Sequence, residues 1–425
     1  MVPDNPIRAS DESQPPYLPE VDGLRGVAIL LVLWYHAPFL FRHLPQFSAE
    51  QTPWSMLGLF GRMSLGGWIG VDLFFVISGF LITMILLRIK DRGGSALAFW
   101  GRRGLRILPL ALLYLAVLIG LAAIGDPLKI LPSFDKWAWY AFYLGNIHIA
   151  IYGWQPLAVM ILWSLAIEEQ FYLIWPFIVR CCTADQLFKW IMALIVIAPI
   201  VRALMVSTVE YPAVYVLTFC RIDGLATGAA TAMLFNFPSR RNRVAERYRR
   251  LIGPALAAIA ITLLVPFGPS LPETRPWWFS IFGYSWLAIS FAIVLGASLE
   301  IKGPIRAVLT SRVLTFLGRR CYGIYLWHVV AAALVVAAVR PWEIGFYMHV
   351  LLWLITLLMM AWASWLLFEG PILRLKRFLP YERLPRTESA LRRSSAGYTP
   401  AAMSPKNMLP KSVSAFDTTA FDKRI

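Results

Sequence analysis

Apolar residues run through this chain in long uninterrupted blocks, separated by shorter connections that carry most of the charge. The blocks lie at about residues 24–41, 67–87, 105–124, 160–179, 188–207, 212–235, 251–268, 277–298, 321–339 and 346–368. A helix of ~20 apolar residues, rising ~1.5 Å per residue, crosses a hydrocarbon core ~30 Å thick. Each block is therefore a candidate transmembrane helix. The blocks are continuously apolar rather than alternating, which excludes a membrane β-barrel. An eleventh stretch, 137–152, is short and Trp-rich and carries Asn146 and His148. It is expected to be re-entrant or interfacial. The predicted fold is all-α, a polytopic bundle of about ten membrane-spanning helices.

The connections set the orientation. The most basic of them are 88–106, 240–250, 302–320 and the tail after Arg374, and the cytoplasmic bias of Lys and Arg places all of these inside. Three crossings leave the chain outside after residue 124, so an odd number must follow before residue 240. Leaving out 137–152 meets that condition and puts both termini in the cytoplasm. Residues 1–18 and 380–425 are rich in Ser, Pro, Arg and Lys without an apolar period. They read as disordered tails flanking a membrane domain at 19–379. Arg374, Lys376 and Arg377 fit either an ordinary topology anchor or a contact with anionic headgroups. Asp4, Asp11, Glu12 and several prolines precede the first block, unlike a basic signal-peptide start. The first helix is thus expected to be its own uncleaved anchor. No soluble second domain and no internal repeat stands out.

Composition agrees with this class. Hydrophobic residues make up 58% and charged residues 15%, with mean hydropathy +0.62, against ~45–50% and ~25% in soluble domains. The net charge of +16 follows from basic residues between the blocks and in the tail, so no nucleic-acid partner is expected. Cys181, Cys182, Cys220 and Cys321 lie in or beside apolar blocks without metal-site spacing. They predict no disulfide framework, no redox centre and no metal.

Charges inside the blocks are the candidate chemistry. The first block opens Asp22-Gly23-Leu24-Arg25-Gly26 and reaches His36 eleven residues after Arg25. Eleven steps of ~100° bring His36 to within ~20° of Arg25, ~16 Å along one helix face. An ionisable group at membrane depth costs ~2.5–3.5 kcal/mol or more, so it usually faces a protein-lined cavity. The competing interpretation is a snorkelling Arg and a packed His. Arg103 and Arg106 share a face where the third block enters the membrane, a geometry suited to phosphates. They would also enforce topology with no ligand at all. Glu168 and Glu169 lie side by side within an apolar block; diverging by ~100°, only one can point into a shared site. That carboxylate would either orient His36 or pair with Arg202 or Arg221. For Asp72, Arg221, Asp223 and His328, structural or cavity-lining roles are expected.

At these motifs the chain resembles the acyltransferase 3 family of integral-membrane O-acyltransferases. The resemblance runs from about Tyr17 to Pro380. It rests on the Asp-Gly-Leu-Arg-Gly opening with His36 and on Gly70-Val71-Asp72-Leu73-Phe74-Phe75 through Ser78-Gly79-Phe80. Arg103-Gly104-Leu105-Arg106 with Pro109, Trp163 through Pro176, and Tyr325-Leu326-Trp327-His328 extend it. Glu369-Gly370-Pro371 also fits, with Gly370 where an Arg is more usual. The resemblance implies about ten transmembrane helices, a cytoplasmic acyl-CoA donor, commonly acetyl-CoA, and an acceptor hydroxyl usually on a sugar. It implies His36 as catalytic base and Arg25, Arg103 and Arg106 as donor-site residues. Some members carry a fused extracytoplasmic hydrolase-like domain, which this chain is expected to lack, so a second transfer step would need a separate extracytoplasmic transferase.

The expected function is therefore O-acyl transfer from acyl-CoA to a carbohydrate or glycolipid in a bacterial-type cytoplasmic membrane, amid membrane lipid. Glu168 or Glu169 would orient the His36 imidazole or stabilise its cation. Two rivals use the same charges. A transporter of a proton-coupled or lipid-linked substrate predicts inverted repeats and broken helices. A non-catalytic scaffold predicts that His36→Gln is tolerated.

Overall fold

The structure, a computed structural model, describes residues 17–41, 64–124, 131, 136–236, 238–264, 276–342 and 344–381. The two expected tails fall almost wholly outside these residues. Long helices follow the apolar blocks: α1 (Pro19–Phe41), α2 (Ile69–Asp91) and α3 (Ala96–Ala123) come first. Two short helices, α4 (Trp137–Ala141) and α5 (Gly145–Tyr152), precede α6 (Leu162–Cys181) and α7 (Ala184–Met205). The short α8 (Tyr211–Val216) leads into α9 (Thr218–Asn236) and α10 (Pro238–Leu264). A π turn at Phe279–Gly283 opens α11 (Tyr284–Ser298); α12 (Pro304–Leu309), α13 (Arg312–Val339) and α14 (Phe346–Ser364) complete the bundle. The chain leaves α14 through a π turn at Trp365–Glu369, the short α15 (Gly370–Leu373) and a 3₁₀ turn at Arg374–Phe378. The described residues contain no strand.

Local chemistry sets several boundaries. Thr183 and Gln186 form a capping box at the start of α7: the Gln186 N–H donates to Thr183 Oγ1, and the Thr183 N–H donates to Gln186 Oε1. Ser311 caps α13 by accepting from the Leu314 N–H. The stretch 137–152 breaks into α4 and α5 through Tyr143, whose φ is 55°. Gln170 Nε2 donates to the Tyr143 carbonyl at 2.9 Å and holds that turn. Eight residues of α5 rise only ~12 Å, too short to cross a bilayer.

Eight helices among the described residues are long and apolar enough to cross a membrane. The expectation of about ten included α9 and α10, which miss that measure for different reasons. Helix α9 carries Arg221 and Asp223 among small residues and is buried by its neighbours along most of its length. A helix surrounded by protein has no need of a lipid-compatible surface. The first turns of α10 carry Arg243, Glu246, Arg247, Arg249 and Arg250, and only its second half is apolar.

Several helix pairs are packed closely enough to exclude side chains between them, two of them through a glycine on each helix. Helix α2 crosses α9 at Gly79 and Gly228, where an added Cβ would collide with the Leu225 and Val76 carbonyl oxygens. Helix α1 lies against α13 at Gly26 and Gly318 in the same way, facing the Leu314 and Asp22 carbonyls. Small residues permit such approach in membrane bundles, where packing rather than water exclusion drives association. Gly79→Ala and Gly228→Ala are each expected to destabilise the fold by ~1–3 kcal/mol through overpacking. Gly253→Ala, on an open helix surface, is expected to leave stability equal or slightly raised, since Ala is the better helix former. Thermal unfolding in detergent compares the three.

Candidate active site

Helices α1, α2, α3, α6 and α13 enclose a half-open cavity of about 810 Å³, its mouth included. Arg25, Arg103 and Arg106 all line it, so the three arginines that the family resemblance groups together come from α1 and α3 to one cavity. Helix α3 starts at Ala96, well before its apolar block, and therefore carries Arg103 and Arg106 within regular helix. Arg25 lies 3.7 Å from Asp22 one turn earlier. Arg103 rests over the Tyr172 ring, 5.2 Å from its centroid.

Glu168 is the glutamate that lines this cavity. Its Oε1 accepts from Ser78 Oγ at 2.9 Å and its Oε2 from Tyr172 OH at 2.8 Å. Glu169 is not among the lining residues. Next in line, Gln170 turns to the other side of α6 and donates to Asn146 Oδ1, while Thr218 donates to its Oε1. Neither Arg202 nor Arg221 takes up a glutamate. Arg221 Nη2 reaches Asp72 Oδ1 at 2.6 Å, with the Tyr284 and Tyr215 ring centroids 4.1 and 4.8 Å from its guanidinium carbon. Arg202 Nη2 reaches Asp223 Oδ2 at 2.9 Å; its Nε donates to the Ile281 carbonyl and its Nη1 to that of Cys220. Thus Arg221 and Asp223, two residues apart on one helix, each pair with a different neighbouring helix. Phe75 both lines the cavity and lies 5.7 Å from the Arg221 guanidinium, so this ionic core backs the cavity wall.

His36 is buried beyond the cavity lining. Its Nδ1 lies 2.8 Å from the Val32 carbonyl oxygen. A carbonyl can only accept, so Nδ1 carries the hydrogen and Nε2 keeps its lone pair. The orienting bond expected from Glu168 or Glu169 is therefore made by the backbone of α1 itself. Both Glu168 oxygens are engaged by Ser78 and Tyr172 instead. The neighbour of His36 is His328, with ring centroids 4.8 Å apart. His328 uses the same device, its Nδ1 held by the Tyr325 carbonyl. Its Nε2 is buried without a hydrogen-bond partner among the described residues. The Tyr325 ring, which lines the cavity, is 5.7 Å from the His328 ring. The Tyr325 ring thus stands between the cavity and His328.

Sequence reasoning weighed His328 as structural and did not single out Ser78, Tyr172 or Tyr325 for chemistry. Tyr172 was legible in one respect, standing four residues after Glu168 on the same helix face. Ser78 and Tyr325 gave no signal of their own, because a lone hydroxyl in an apolar block is ordinary. No group of three or more potential metal ligands occurs among the described residues.

Residues 18–369 match the acyltransferase domain that defines the acyltransferase 3 family. The chain belongs to that family. The relatives it resembles include YrhL of Bacillus subtilis, provisionally named a peptidoglycan O-acetyltransferase, at 30% identity over 86% of this chain and 56% of that one. The peptidoglycan O-acetyltransferase OatA of Listeria monocytogenes is 29% identical over 73% of this chain and 49% of its own. The O-acetyltransferase OatA of Staphylococcus aureus is 28% identical over 89% and 61%. This chain spans about half the length of these curated relatives. No solved structure matches it.

Proposed function

We propose that this chain is a membrane O-acyltransferase that takes an acetyl group from cytoplasmic acetyl-CoA and passes it to a hydroxyl of a cell-surface carbohydrate. The observation that carries this is the cavity itself, lined by three arginines and by Tyr325, whose ring lies against that of His328, the neighbour of His36. Family membership and the names of the relatives support acyl transfer, and peptidoglycan is the acceptor those names favour.

Arginine forks bind phosphate bidentately, so Arg103 and Arg106 would hold the phosphates of CoA, with Arg25 deeper along the same wall. The thioester arm would run past Tyr172 and Cys321 toward Tyr325. His36 Nε2 accepts the proton of the acceptor hydroxyl as its oxygen attacks the thioester carbonyl. The C–S bond then breaks, and the imidazolium returns its proton to the departing thiolate. Glu168, already hydrogen-bonded twice, serves as counter-charge for Arg25 and Arg103 and keeps the arginine side chains in place. Apolar walls exclude water, which limits hydrolysis. Both termini are taken as cytoplasmic, because the basic connections and the donor would then share one side.

Free-thiol release from acetyl-CoA by the purified, detergent-solubilised protein tests this reading. Arg106→Ala should raise the KM for acetyl-CoA by ~10- to 100-fold, the loss of a charge-assisted contact worth ~1.5–3 kcal/mol. Glu168→Gln removes the charge and leaves one acceptor oxygen, so one hydroxyl contact must reverse with the amide N–H donating, and it should raise that KM by a smaller factor. Release that is indifferent to both substitutions would exclude this cavity as the donor site.

A further inference from the structure

After α15 the chain does not leave the bundle. The 3₁₀ turn Arg374–Phe378 and the residues to Tyr381 fold back as a strap against the first turns of α3. Two hydrogen bonds to its carbonyls and two side-chain contacts fix it. The Ser95 N–H donates to the Tyr381 carbonyl at 3.1 Å. Arg102 Nη1 donates to the Leu379 carbonyl at 3.1 Å, and its guanidinium lies 4.4 Å above the Tyr381 ring. Gly101 leaves room for Leu379, whose Cδ1 would be 2.8 Å from an added Cβ. Arg102 is thereby spent on holding the strap, while Arg103 and Arg106 line the cavity.

The strap carries Lys376 to this corner. Lys376 is half-buried one turn before Leu379, the residue that Arg102 holds, and the charges that bear on it from α3 are those of Arg106, Arg103 and Arg102. Among the described residues, none of Lys376, Arg103 and Arg106 has a carboxylate within ion-pair distance. The acids nearby are Glu369, which accepts from Ser364 Oγ at 3.2 Å, Asp22, which faces Arg25, and Glu168, which lines the cavity with Arg103 and Arg106 and accepts from Ser78 and Tyr172. Like charges gathered in a partly desolvated corner repel one another, and a side chain as flexible as lysine would turn to solvent unless something anionic repaid the arrangement. A phosphate ester, with several acceptor oxygens and up to two charges, is the group that fits three cations from two directions.

We propose that the strap is a working part of the donor site, and that Lys376 binds a phosphate ester together with Arg103 and Arg106. The inference rests on the acyl-CoA reading for which phosphate this is, namely one on the nucleotide end of the donor. The phosphate of a lipid headgroup has the same chemistry and could reach the same corner.

The test compares wild type, Lys376→Ala and Lys376→Arg on acetyl-CoA and on S-acetyl-pantetheine, which lacks the nucleotide phosphates. The protein is held in nanodiscs of either zwitterionic or anionic lipid. A second readout is the thermal shift that adenosine 3′,5′-bisphosphate produces. Lys376→Ala should lower kcat/KM for acetyl-CoA about tenfold, with no fall for S-acetyl-pantetheine. It should also abolish most of the thermal shift, and Lys376→Arg should restore both. A deficit that follows anionic lipid rather than donor length would assign the site to a headgroup phosphate. Equal rates and equal thermal shifts for all three proteins would overturn the proposal. Wild type that uses both donors equally well would instead overturn the acyl-CoA reading, a different result from a null effect at Lys376.

Discussion

His36→Ala should reduce acetyl transfer by ~10²–10⁴-fold, the range expected when a positioned general base is removed. The geometry makes this a sharp test. The Val32 carbonyl fixes the tautomer of His36 from within its own helix, so no other side chain has to be invoked to prepare Nε2 for the proton. The loss should therefore be nearly complete for His36→Asn as well, which preserves a polar side chain but has no basic nitrogen. A chain that serves only as scaffold would tolerate that change. Thiol release and acceptor acetylation measured at saturating acetyl-CoA, beside a thermal melt of each variant, separate loss of chemistry from loss of fold. Activity above one tenth of wild type in a folded His36→Asn protein would remove His36 from the mechanism. His328→Asn is the natural companion. It should cost less than His36→Asn, because His328 lies against His36 and Tyr325 rather than at the inner end of the Arg25 face.

The largest effect on stability is expected at the buried ion pair behind the cavity. Asp72→Leu leaves the Arg221 guanidinium in the protein interior without its carboxylate, and Arg221→Met leaves Asp72 there without that guanidinium. Breaking one side of such a pair costs ~3–5 kcal/mol, because the remaining charge is uncompensated. Replacing both partners by apolar residues removes that penalty. Asp72→Leu combined with Arg221→Met should therefore recover most of the stability that either single change loses. Thermal unfolding of the two single variants and the double variant measures the coupling. Two independent losses that simply add would show that the pair contributes nothing as a pair. Because Phe75 shares this ion pair's aromatic surround with the cavity wall, the single variants should also raise the KM for acetyl-CoA.

The sequence by itself determined the class of this protein and much of the outline of its site. Continuous apolar blocks can satisfy their backbone only as helices in a bilayer, so the all-α bundle was legible without any contact being known. That Arg25 and His36 share one helix face, and Arg103 and Arg106 another, was also legible from helical period, while the grouping of Arg25 with Arg103 and Arg106 came only from the family resemblance. What the tertiary structure decided is which charge meets which. The two adjacent carboxylates differ by a rotation of ~100°, and only the packing of α6 against α2 puts Glu168 in the cavity beside Ser78 while Glu169 stays off its lining. Arg221 and Asp223, neighbours in sequence, pair with Asp72 and Arg202 from α2 and α7, because helical rotation sends them to different faces of α9. The His36–His328 contact joins residues almost three hundred positions apart, and no local period encodes such a separation. The same holds for the strap, whose contact with α3 depends on where α14 happens to end. Local pattern sets what each segment is. The pairing of distant faces is set by the glycine-mediated crossings of α1 with α13 and α2 with α9, which the sequence contains only as isolated small residues.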